Sequence, residues 1–182
     1  MPSRRRVVPL RERRRDWFFV AAFSFFAFSS FFSDAWAGLG VDFSADSPSF
    51  WARANYWYAA GTDPYFLSHP IHLRIQTFLS GFVFGPFYLL LVYAFVAGKD
   101  WIRLPAFFYT AAMLYGMVVF LGSEFLGGLP PTNLPKFLGF NLPYLIVPLA
   151  LVYRLRREHP FSQAMVVDAT RGRRPGARLT GT

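Results

Sequence analysis

The chain has 182 residues, of which 54% are hydrophobic, 20% aromatic and only 16% charged. That balance is too apolar for a soluble domain and too aromatic for a disordered chain, and the absence of Cys excludes disulfide scaffolds, thiol catalysis, zinc-cysteine sites and iron-sulfur clusters. A net charge of +9 carried by so few charged residues is concentrated at the two ends, which leaves a small integral membrane protein.

Residues 1–16 form a basic tail. The first span runs from about Trp17 to Gly38 with a single ionisable residue, Asp34, and its length fits a hydrocarbon core of roughly 30 Å. A cleaved signal peptide would share the basic start RRRVVPLRERRR, but the apolar stretch is long and the chain returns to the membrane three more times, so the segment reads as a span. The link 39–74 is aromatic and punctuated by proline, and it predicts short interfacial helices. The second span covers about 75–97, with Pro86 inside it predicting a kink. The third covers about 104–126, the turn-rich GGLPPTNLPK follows, and the fourth, short and carrying Pro143 and Pro148, covers about 137–153. Residues 158–182 read as a basic flexible tail. The fold class is therefore all-α: a polytopic bundle of four transmembrane helices.

Lys and Arg resist translocation, so they set the orientation. With four spans and the amino terminus inside, sixteen of the 19 basic residues fall on the inner side and only Arg53, Arg74 and Lys136 on the outer. Both termini are thus expected to be cytoplasmic. Arg outnumbers Lys by 17 to 2, a composition typical of a GC-rich bacterium, which points to a bacterial plasma membrane; a eukaryotic chain of this kind would sit in the endoplasmic reticulum. The basic tails read as topology signals and headgroup contacts, not as a nucleic-acid surface, since they lack aromatic or fold support.

Polar groups at membrane depth are expensive and mark site candidates. Asp34 lies in the outer half of the first span. Gln76, Thr77 and Ser80 share a face of the second, Glu124 closes the third and Asn141 opens the fourth. Each has a bland alternative: Asp34 and Glu124 at the headgroup boundary, Thr77 and Ser80 bonded to their own helix backbone. The run Trp51, Tyr56, Trp57, Tyr58, Tyr65 is an interfacial belt or, around a carboxylate, a pocket for a cationic amine or planar hydrocarbon. His69 and His72 lack a third ligand, so no metal site is assigned, and neither a GxGxxG nor a Walker pattern is present, so no cofactor is expected.

The order of the spans, with YAAGTDPYF before the second, GPFYLLLVYAF within it, WIRLPAFFY opening the third, YGMVVFLGSE closing it and NLPYLIVP in the fourth, resembles the EXPERA family over about residues 17–157. That family includes emopamil-binding protein, a sterol double-bond isomerase, and the sigma-two receptor. The resemblance implies a four-helix bundle around a hydrophobic cavity that accepts sterols and amphiphilic amines. It implies that Asp34 is the acid of the first span, handling a proton or pairing with a ligand amine. It sets Asp63 in the place of the receptor's second acid, and Glu124, Asn141 and Tyr144 where the isomerase has an acid, an Asn and a Trp. Tyr115, in YGMVV, joins the ligand-binding set. Ser30 stands where the isomerase has His, Thr77 where it has Glu, and Ser80 replaces a Glu of the receptor.

Shifting a double bond needs an acid and a base, or one relay group acting as both. With the His and the second Glu absent, the leading expectation is binding of a sterol-like or other flat lipid, or of a cationic amine, with Asp34 as the key polar group. An isomerase with Asp34 as proton relay and Glu124 as its partner is the first alternative, and a scaffold subunit of a membrane complex the second. The expected partner is a membrane lipid or sterol-like small molecule, with homodimerisation left open.

Overall fold

The computed structural model describes residues 5–164. Arg4, Arg171, Arg173, Arg174 and Arg178, which carry part of the orientation argument, lie outside them, as does most of the basic tail 158–182. The elements are β1 (Arg5–Val7), the spanning helix α1 (Asp16–Gly38), the short helices α2 (Phe50–Ala60) and α3 (Pro64–Leu67), three further spanning helices, α4 (Ile71–Ala97), α5 (Asp100–Leu126) and α6 (Leu134–Arg154), and β2 (Ser162–Ala164). The four spans run alternately up and down, so one end of the bundle carries the termini and the α4–α5 turn, and the other carries α2, α3 and the α5–α6 loop.

The fourth span is longer than the sequence suggested. It starts at Leu134 because Asn133 caps it, its side chain accepting the Lys136 N–H at 3.2 Å, with Pro135 in the first turn, where a missing N–H does no harm. The link 39–74 forms α2 and α3 as expected, each capped by its preceding residue, Ser49 and Asp63.

Pro86 does not simply kink its helix. A proline ring clashes with the carbonyl four residues back, here Phe82, and α4 meets this by widening into a π turn over Ser80–Phe84, with the Gly85 N–H reaching back to the Ser80 carbonyl. A second π turn, Ser30–Asp34, lies in α1 where there is no proline. The two wide turns face each other, and the helices come very close around them. A Cβ added at Gly81 would lie 2.6 Å from the Ala35 Cα, and one at Gly38 would lie 2.5 Å from the Phe78 Cα. Only glycine permits this crossing.

At the termini end the core is solid. Phe23, Tyr88, Leu91 and Phe95 have no exposed surface. Beneath them Asp16 accepts from Arg13, three residues before it, and from Arg154 at the end of α6, at 2.6 and 2.9 Å. Both guanidinium groups also lie over the ring of Phe161, at 4.8 and 5.2 Å. β1 pairs antiparallel with β2, Arg5 opposite Ala164, so the chain segments flanking the bundle clasp each other across its end. Asp100 holds the same strand by accepting from the Phe161 N–H and the Ser162 hydroxyl. Hydropathy and charge patterns gave no sign of this clasp.

Candidate functional site

α1 packs on α4 and α5 packs on α6, and towards the loop end the two pairs leave a cavity of about 600 Å³ between them. Its wall is chiefly apolar: Phe25, Phe28 and Phe32 from α1, Leu79 and Phe84 from α4, Met113, Met117 and Phe120 from α5, and Phe140 and Tyr144 from α6. α2 and the residues after it roof it with Trp51, Asn55, Tyr58, Asp63 and Phe66.

The π turns decide what faces this space. By inserting an extra residue they turn Asp34 and Ser80 towards the same wall, where the Ser80 hydroxyl donates to Asp34 Oδ2 at 2.6 Å. Ser30 Oγ lies 3.2 Å from Ser80 Oγ. Since the Ser80 proton is already given to the carboxylate, Ser30 donates to Ser80, and the three groups form a chain that ends on Asp34. Asn55 of α2 donates to the Phe32 carbonyl within the widened turn at 3.0 Å and accepts in return from Ser33. Asn55 also donates to the Trp51 carbonyl at 2.9 Å, so the roof is locked onto the π turn that presents Asp34.

The residues picked out by sequence fall into groups. Asp34, Ser80, Thr77, Asp63, Tyr115, Asn141 and Tyr144 all border the cavity. Ser30 lies behind the wall, with no exposed surface, and acts through Ser80. Thr77 bonds to its own helix, its hydroxyl donating to the Leu73 carbonyl at 2.9 Å. Tyr144 stacks on Phe26 at 4.1 Å between ring centres. Tyr115 is 74% exposed and sits at the rim. Glu124 does not reach Asp34: it is fully buried beside Asp63. His72 accepts or donates at Tyr65 Oη, 2.9 Å away, and His69 packs on Phe43, its imidazole held below the usual range chiefly by burial.

Two features were missed. Asn55 is the lone uncharged amide on an aromatic amphipathic helix, a signal that could have been used. The π turns had no sequence signal beyond a Ser at the start of each. Electrostatically the roof is acidic: burial pushes the Asp63 carboxyl up, and burial, followed by the charge of Asp63, pushes the Tyr58 hydroxyl up.

No curated protein matches the chain. The sequence model of the EXPERA family (EXPanded EBP superfamily) matches residues 50–155, from the start of α2 to the end of α6, leaving α1 with Asp34 outside the match. Since the match spans more than half of a chain whose four helices are long and apolar enough to cross a membrane, the chain belongs to the EXPERA family of membrane proteins.

Proposed function

We propose that the cavity holds a flat hydrophobic lipid of sterol type, or a cationic amphiphilic amine, with its polar or cationic head on Asp34. The observation that carries this reading is the contrast within the site: the Asp34 carboxylate, oriented by a two-serine chain, set in a chiefly apolar, aromatic wall. A volume of about 600 Å³ lies within the range of small-molecule sites. Aromatic faces from Tyr58, Trp51 and Tyr144 suit both a planar hydrocarbon and a cation. The position of Ser80 favours binding, because its hydroxyl holds the Asp34 carboxyl in one orientation on the cavity wall, ready for a polar or cationic head.

The test is equilibrium binding of dimethylaminocholestane to the reconstituted protein. Saturable binding weakened about thirtyfold or more in Asp34→Asn is expected, the scale of losing one member of a buried charge pair. Absence of saturable binding by amine and sterol alike would overturn the reading.

A second reading, isomerisation of a lipid double bond, is favoured by the same hydroxyl chain, which can move a proton to and from Asp34. Asp34 would protonate one ring carbon, and the carboxylate so formed would take the proton from a neighbouring carbon of the cation and return to the acid, with the intermediate cation facing the aromatic wall. In heavy water this gives a rearranged sterol carrying one deuterium, absent with Asp34→Asn. A sterol that binds and emerges unrearranged leaves the binding reading alone.

A further inference from the structure

Glu124 is unexplained by the cavity's contents. It has no exposed surface, and neither of its carboxyl oxygens has a hydrogen-bond donor among the described residues. It lies beside the carboxyl of Asp63, which belongs to another element and forms part of the cavity roof. The two are held together by backbone as well as by side chains. The end of α5 packs at Gly127 against the ring of Tyr65, 3.8 Å from where a Cβ would stand, and the Thr132 N–H donates to the carbonyl of Thr62, next to Asp63, at 3.1 Å.

Among the described residues no ion pair joins either carboxyl to Lys, Arg or His. The group that faces the two carboxyls is Tyr58 from α2, with Asp34 of α1 acting on Tyr58 from the cavity and, from α6, Asn141 beside Tyr58 and Lys136, whose ammonium lies over the Tyr58 ring at 5.6 Å. Asp63 has one oxygen engaged by the Phe66 N–H at 3.0 Å, so its other oxygen is the one available to Glu124. Two bare carboxylates side by side in such a site repel strongly, whereas one proton between them removes the repulsion and gives Glu124 the donor it lacks.

We propose that Asp63 and Glu124 share a single proton, and that arrival of a cation in the cavity expels it. The O–H bond of the shared proton breaks and the proton passes to water at the loop end. The pair goes from one negative charge to two as the ligand brings one positive charge, so the net charge of the site is unchanged. Cation binding is therefore linked to proton release, and the affinity for cations, but not for neutral sterols, rises with pH. This rests on the reading of the cavity as a cation site, and the experiment separates the two.

The probe is cholestane bearing a trimethylammonium group, a permanent cation that cannot itself exchange a proton, titrated calorimetrically into the solubilised protein in buffers of differing ionisation enthalpy. The buffer dependence of the heat counts protons released per cation bound, whatever the affinity. We expect release approaching one proton per cation, none with cholestanol, and its loss in both Glu124→Gln and Asp63→Asn. Infrared spectra should show a protonated carboxyl band that is absent from both variants and that disappears when the cation is added. Cation binding without proton release, or release unchanged in Glu124→Gln or Asp63→Asn, overturns the inference and leaves the cavity reading standing. No saturable cation binding overturns both. If Glu124→Gln does not fold, Asp63→Asn alone decides, since it preserves the acceptor for the Phe66 N–H.

Discussion

The termini half of the bundle and its loop half are made from the same four helices, but the first is solid and the second hollow. At the termini end the carboxylates are well provided with donors: Asp16 has Arg13 and Arg154, and Asp100 accepts from the Phe161 N–H and the Ser162 hydroxyl. At the loop end the carboxyls of Asp34 and of the Asp63–Glu124 pair have no cationic partner among the described residues, and each lies on or just behind the wall of the cavity. Carboxyls without a cationic partner and space for a ligand occur in the same half, as expected where affinity for a ligand supplies what the fold does not.

The clearest way to break this comparison is to remove the centre of the solid half. Asp16→Ala takes the carboxylate from one buried and one partly exposed guanidinium group and should lower stability by about 3 kcal/mol, measured by thermal unfolding in detergent, without a specific effect on the cavity. Phe23→Ala, at 0% exposure, should lose a comparable amount, about 3–5 kcal/mol, whereas Phe28→Ala on the cavity rim, already 45% exposed, should lose far less and change ligand binding instead.

Glycines sharpen the comparison at smaller amplitude. Gly81→Ala pushes a methyl group into the backbone of Ala35, must separate α1 from α4, and should destabilise by about 1–3 kcal/mol while weakening the Ser80–Asp34 contact. Gly116→Ala borders the cavity, meets nothing within 4 Å, and should stay within about 0.5 kcal/mol of the parent.

The smallest effect concerns pH. Burial raises the Asp63 carboxyl above its ordinary value of 3.8, so the fold favours its protonated form. The stability this contributes is complete below 3.8 and is lost as pH rises through the raised value, so the melting temperature should fall across that window. Asp63→Asn should flatten the slope. An unchanged slope would show that another group carries it.

How far the sequence predicts these halves depends on the range of the interaction. The four spans were legible because each is a run of about 20 apolar residues, a local property. Asp34 was legible because a carboxylate at membrane depth stands out against Phe and Ala. Its setting was not: Ser80 lies 46 residues away, and the two are brought together only by paired π turns and by glycines at a crossing. Likewise Glu124 and Asp63 each stand out, but the sequence suggested pairing Glu124 with Asp34, and only the fold of the α5 end against α3 brings it to Asp63. The β1–β2 clasp depends on backbone pairing between residues at opposite ends of the chain, which a short polar sequence does not advertise.

The most direct test of the hollow half is photolabelling of the reconstituted protein with a sterol that carries a diazirine, followed by mapping of the modified residues. The account predicts label on the inner wall, at Met113, Met117 and Phe120, and its displacement by dimethylaminocholestane in the parent but not in Asp34→Asn. Label confined to the outward-facing Phe108, Val118 and Ile146, unaffected by the amine, would show that the sterol meets only the lipid-facing surface, and would contradict it.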